Sequence, residues 1–241
     1  LQSMPIDKTI LIDDIGAFTQ VAWLADGELV DYEVEAKHAG SRVGDVYLGQ
    51  VERVIESLNA AFVDIGEERA AFLPLGRGLS NSNDATQSIF PGQRIAVQLK
   101  RFASATKAAR ISRDITLAGS ALVYRPNGSG VTVSNRIADK RLKRALRDEL
   151  LVWLADNSVG GGFIIRSSVS EVLVDAEEHE ADLIKEIVQN SVLAEAKRHV
   201  AAWQDSLKSV ATITKPQRLV SAPNLVQRVF AHADSQEAEI V

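Results

Sequence analysis

The stretch Gly44-Asp-Val-Tyr-Leu-Gly-Gln-Val-Glu-Arg-Val-Ile-Glu-Ser-Leu-Asn-Ala-Ala-Phe-Val-Asp-Ile-Gly-Glu-Glu-Arg-Ala-Ala-Phe-Leu-Pro-Leu75 decides the fold. It reads as short strands separated by turn residues. Val46 and Leu48 alternate with Asp45 and Tyr47, Ala61, Val63 and Ile65 with Phe62 and Asp64, and Ala71, Leu73 and Leu75 with Phe72. Alternation with a period of two belongs to half-buried strands. With Ala61, Val63 and Ile65 lining the inside of a small barrel, Phe62 points outward, and the same parity turns Phe72 outward. Two phenyl rings on an outer wall are costly in water unless something flat lies on them. Single-stranded nucleic acid supplies flat bases to such platforms.

Working outward, residues 85–113 contain no acid, while Arg94, Lys100, Arg101, Lys107, Arg110 and Arg113 supply six cations. Such a run is commonly a solvated face. Beside two outward phenylalanines it reads as a track for a phosphate backbone. The chain as a whole carries a net charge of −5, so contact with RNA has to come from local basic patches. With no cysteine in 241 residues, disulfides and thiolate zinc sites are excluded within the chain. No apolar run is long enough to span a bilayer, and the composition fits a cytoplasmic protein.

Before the barrel, residues 8–34 read as three antiparallel strands, with turns at Asp14-Ile15-Gly16 and Ala25-Asp26-Gly27. Asp13 and Asp14 have a catalytic reading as metal-binding carboxylates and a plainer one as a turn pair, which is preferred. His38 reads as a linker residue. Residues 76–88 read as a polar rim loop. After the barrel, Asn127-Gly-Ser-Gly130 reads as a hairpin turn before a strand from Val131 to Ser134. Residues 137–156 form an amphipathic helix with Leu142, Ala145, Leu146, Leu150, Trp153 and Leu154 on its apolar stripe. Lys140, Arg141, Lys143, Arg144 and Arg147 stud its other side. Gly160-Gly161-Gly162 precedes a strand ending in Arg166 and Ser167. An arginine fork beside a hydroxyl can grip a phosphate; the competing reading ties Arg166 to a neighbouring carboxylate. Residues 176–210 form the longest helical stretch, on which His179 and His199 lie too far apart to share a metal. Leu1-Gln2-Ser3 reads as a tag remnant, and Glu239-Ile-Val241 as a strand.

The run Ser57-Leu-Asn-Ala-Ala-Phe-Val-Asp64 with Gly66 and Phe72-Leu-Pro-Leu75 resembles the S-one type OB-fold domain of the ribonuclease E/G family. The resemblance extends from Ile10 to Val241. It implies an α/β (α+β) chain in which the OB-fold barrel (43–114) is inserted into a ribonuclease-H-like mixed sheet (4–42 and 212–241), followed by an α/β 5′-sensor region (115–211). It matches Lys107 to the family's RNA-contacting lysine. Gly119, Val123, Arg166 and Ser167 match its pocket for a 5′-monophosphate, with Ser167 in place of threonine. Asn135 stands where the family has an arginine, which removes a charge from that pocket. The family's cleaving subdomain, with its magnesium-holding acids, would begin past Val241. The chain is therefore expected to contain no catalytic residue and no cofactor of its own, with magnesium serving the full-length enzyme. Single-stranded RNA is the expected partner, in RNA processing and mRNA decay, and the full-length form would be a homo-oligomer. The alternative is a stand-alone single-stranded-RNA-binding protein without nuclease activity; a reading frame continuing past Val241 into paired aspartates separates the two.

Overall fold

A computed structural model describes residues 8–37, 40–75, 89–173, 188–233 and 239–240. The readings placed on His38, His179 and the rim loop 76–88 lie outside the described residues. The chain opens with β1 (Lys8–Asp13), β2 (Phe18–Ala25) and β3 (Glu28–Ala36), antiparallel as the alternation requires. Asp26 (φ 51°) and Gly27 (φ 80°) make the two-residue turn between β2 and β3. Two successive positive φ values give a turn whose twist matches that of the flanking strands.

The barrel is built from β4 (Val46–Ile55), β5 (Ala60–Asp64), β6 (Ala71–Pro74), β7 (Arg94–Arg101) and β8 (Arg110–Ser112). They run in the order β4-β5-β6-β8-β7, and β7 pairs back onto β4 to close the ring. Five strands closed in this way form an OB-fold barrel within an α+β chain. Val51, Ala61, Val63, Ile65, Ala71, Leu73, Val97, Leu99 and Ile111 fill the interior. Gly49 has no side chain because a Cβ there would lie 2.6 Å from Val63 and 2.9 Å from the Asp64 carbonyl.

Beyond the barrel come β9 (Leu117–Ala118), β10 (Leu122–Arg125), β11 (Gly130–Val133), helix α1 (Lys140–Asp156) and β12 (Gly162–Ile165). A π-helical turn over Val188–Leu193 runs into α2 (Ala194–Val210). The sheet order is β11-β12-β10-β9, so the expected hairpin at residues 127–130 does not form. The turn itself is present, with the Gly128 N–H on the Arg125 carbonyl at 2.9 Å, but β12 slides in between β10 and β11. Glycine permits this: a Cβ on Gly162 would meet Ser129 N at 2.8 Å, and Gly161 (φ 107°) packs against the Tyr124 ring. Leu142, Leu146 and Leu150 of α1 pack with Leu122, Phe163, Ile165 and the π-helical turn in one core. The predicted apolar stripe is the buried one.

The chain returns through β13 (Gln217–Val220), α3 (Leu225–Ala233) and β14 (Glu239–Ile240). Helix α3 covers one face of the first sheet through Leu225 and Val229 on Ile10 and Val21, and β14 adds to β1 in parallel. Strand β13 joins the barrel instead, pairing antiparallel with β4. Asp45, fully buried, accepts from the Arg42 and Ala222 amides at 2.8 and 2.6 Å and from Arg218 Nη1 at 3.1 Å. That carboxylate ties the returning chain to the barrel's first strand. No helix among the described residues is long and apolar enough to cross a membrane.

Candidate nucleic-acid interface

Strand register assembles the interface. Arg53 on β4 stands opposite Phe62 on β5, Phe62 opposite Phe72 on β6, Phe72 opposite Arg110 on β8, and Arg110 opposite Arg101 on β7. Residues paired across strands share a face. The result is a continuous row, Arg53–Phe62–Phe72–Arg110–Arg101, around the outside of the barrel. Phe62 and Phe72 are half-buried while Ala61, Val63, Ala71 and Leu73 beside them are buried, as the alternation predicts. The two rings meet edge to face, with centroids 5.8 Å apart and planes at 73°. The Arg53 guanidinium lies 4.6 Å from the Phe62 centroid. Such a cation is held by the negative face of the ring, and its own N–H groups remain at the rim of the platform.

Arg53 was not among the residues singled out from the sequence. Val51 pairs with Val63 and points inward, so a period of two would send Arg53 inward as well. The register shifts between Val51 and Arg53, and this bulge turns the arginine out. A second shift, between Leu99 and Arg101, turns Arg101 out beside Arg110. Lys107 is exposed in the loop leading to Arg110, where the Ser104 N–H closes on the Lys107 carbonyl at 2.8 Å. Lys100 stands apart from the row. Its ammonium donates to Gln98 Oε1 at 2.6 Å, and burial pushes its pKa below the usual lysine value, partly offset by Asp114.

Of the residues matched to a 5′-phosphate pocket, Arg166 and Gly119 are brought into contact at one corner of the second sheet, while Asn135 lines the groove between β11 and α1. Arg166 Nη1 donates to the Gly119 carbonyl at 2.6 Å, and the Arg166 amide to the Ala121 carbonyl at 2.8 Å. No carboxylate among the described residues pairs with Arg166. Val123 lies between Ala118 and Ile164 across the sheet, Ser167 is half-buried where β12 gives way to a 3-10 helix, and Asn135 is exposed. The sequence reading missed Glu195. Its carboxylate, 5% exposed, accepts from the Ser120 amide and hydroxyl at 2.7 and 2.6 Å and from the Ala121 and Leu122 amides at 3.0 and 2.9 Å. A Cβ on Gly119 would lie 2.2 Å from that carboxylate, so the glycine makes room for it. The only sequence signal was a carboxylate between Val192 and Ala196 on an apolar stripe.

Asp13 and Asp14 hold their turn. Asp13 Oδ1 accepts the Ile15 amide at 3.1 Å; Asp14 Oδ1 accepts the Thr19 hydroxyl at 2.5 Å and pairs with Lys37 at 3.2 Å. The Thr19 hydrogen bond, then Lys37, hold the Asp14 carboxyl below the usual range. No group of three His, Asp or Glu side chains among the described residues is placed to hold a metal ion.

The chain is 30% identical to ribonuclease G of Salmonella typhimurium over 208 residues, 81% of this chain and 42% of that protein. Ribonuclease G of Escherichia coli (strain K12) is 31% identical over 176 residues, 68% of this chain and 35% of that protein. Ribonuclease E of Nostoc sp. is 37% identical over 133 residues, 52% of this chain and 19% of that protein. The chain thus spans less than half the length of these relatives. No family model matches it. With the barrel and its motif in place and likeness running over most of its length, the chain belongs to the ribonuclease E/G family.

Proposed function

We propose that these residues are the single-stranded-RNA-binding portion of a ribonuclease E/G-like endoribonuclease, and that they hold RNA without cutting it. The row Arg53–Phe62–Phe72–Arg110–Arg101 carries this reading. Bases stack on the two rings while the flanking guanidiniums, with Lys107 beside them, meet the phosphates. Because the rings stand nearly perpendicular, successive bases have to turn relative to one another, which a flexible single strand can do and a duplex cannot. Every base has a flat face, so the platform is tolerant of sequence.

At the second corner, Arg166 and Ser167, on a floor of Gly119 and Val123, take a 5′-terminal phosphate, with Asn135 supplying hydrogen bonds but no charge. Magnesium and the cleaving carboxylates are assigned to the full-length enzyme, which we place in the cytoplasm as a homo-oligomer acting in RNA processing and decay.

The test is fluorescence anisotropy with a short single-stranded RNA. Phe62→Ala removes a stacking ring and weakens binding by about 1–3 kcal/mol, or roughly 5- to 150-fold. Unchanged affinity would withdraw the platform.

A further inference from the structure

Helix α1 carries Lys140, Lys143, Arg144 and Arg147 at spacings of three and four, so all four lie along one side of the helix. Together with Val131, Thr132 and Val133 of β11 they line a groove of about 820 Å³. Strand β11 is the outermost strand of its sheet, so one row of its backbone groups has no strand partner among the described residues. Among the described residues, only Asp148 offsets the cations by ion pairs, at 3.5 Å from Arg144 and 3.3 Å from Arg147. Asp139 is used as the helix cap, accepting the Arg141 and Leu142 amides at 2.7 and 3.3 Å.

The placement of these cations is unfavourable for the helix itself. They occupy its first two turns, with no acid in the first, where the helix's own partial charge is positive. Sequences that work against a local rule without gain to the fold tend to do so at functional surfaces. The groove is positive within a chain of net charge −5, and its lining includes no aromatic ring.

We propose that the groove between β11 and α1 is a second RNA-binding surface, separate from the barrel row, that holds the phosphate backbone of a longer single strand without stacking its bases. The inference rests on the RNA reading of the barrel. Charge complementarity selects the occupant: four cations along two helical turns match consecutive phosphates, and the absence of a ring leaves nothing to read or stack a base. Binding here is insensitive to sequence and steeply sensitive to salt.

The test uses two RNAs of mixed sequence bearing 5′-hydroxyls, of about 6 and about 24 nucleotides, the shorter matching one OB-fold site. The variant replaces Lys140, Lys143, Arg144 and Arg147 by glutamine, and circular dichroism and melting temperature confirm that it folds. It is expected to bind the short RNA as the parent does. For the long RNA, the slope of log affinity against log salt should become shallower by about 2 to 3. An unchanged slope in the folded variant overturns the proposal. So does an unchanged slope accompanied by loss of binding to a polyglutamate peptide, which would give the groove to an acidic strand added to β11. Phe62→Ala measured on the short RNA reports the barrel alone, so failure there is distinguishable from failure here.

Discussion

Arg53 and Arg166 both sit at places where a strand departs from regularity, and they have been given opposite partners. Arg53 is exposed and lies over a phenyl ring on the outer wall of the barrel. Arg166 turns into its own sheet and holds the Gly119 carbonyl. The first arrangement is a display, from which the fold gains little and on which the proposed RNA contact draws. The second is a brace, in which the same functional group fixes a corner that Glu195 secures from the opposite side through four hydrogen bonds. What an arginine touches shows which of its N–H groups the fold already uses; at Arg166 that is Nη1, and the remaining donors are those proposed to meet a 5′-phosphate.

The sharpest way to break that contrast is Gly119→Ala. The added methyl would stand 2.2 Å from the Glu195 carboxylate and force it out of its nest of amides. Overpacking and unsatisfied buried N–H groups together should lower stability by about 3 kcal/mol or more, read as a fall in denaturant midpoint. Any preference for a 5′-monophosphate over a 5′-hydroxyl should vanish with the corner. Affinity of the barrel for a short RNA should be retained by the folded fraction. A Gly119→Ala protein of parental stability would mean that the corner is not braced as described.

On the barrel side the corresponding change is Arg53→Leu, which keeps an apolar cover on Phe62 and removes the charge. Loss of the one cation should make the salt slope shallower by about 0.7 and lower short-RNA affinity by roughly two- to fivefold, while its contact with the exposed ring contributes at most about 1 kcal/mol to the fold. Stability should hardly change, in contrast to Gly119→Ala. A loss of stability without a loss of affinity would reverse the assignment and make Arg53 the brace.

This contrast also explains what the sequence disclosed. The outward rings, the barrel strands and the buried stripe of α1 were legible because each depends on a period of two or 3.6 maintained by nearby residues. Arg53 was not placed, because it reaches the outer wall through a bulge that breaks the period; Arg101 was read as part of the basic run, but the bulge that sets it beside Arg110 was not. The hairpin reading at residues 127–130 failed for a related reason: a turn signal says that the chain reverses, not which strand fills the adjacent place, and Gly161 and Gly162, far along the chain, admitted β12. Glu195 was invisible because its partners are 73 to 75 residues away. Strand β13 could not be assigned to the barrel without Asp45, whose burial shows only in three dimensions.

The smallest expected effect lies between the two regions, at His199. It lines a cavity of about 550 Å³ shared by α2, the barrel residues Gln98 and Lys100, and the segment after β13. Burial, with Arg198 adding to it and Glu195 opposing it, holds its pKa below the ordinary histidine value of 6.5. Its Nε2 is buried without a hydrogen-bond partner, so protonation would place a charged N–H where nothing accepts it. A base whose folded pKa is depressed binds its proton more readily when unfolded. Stability is therefore undiminished above the unfolded pKa, declines as pH falls below it, and levels off below the depressed folded value. Melting temperatures of the parent and a His199→Leu variant, measured between about pH 5 and 8, should converge in shape above pH 6.5 and diverge below it, the parent falling faster. Parallel curves throughout would show that the imidazole is solvated in both states, and that the joint between the barrel and the braced corner is wetter than its geometry implies.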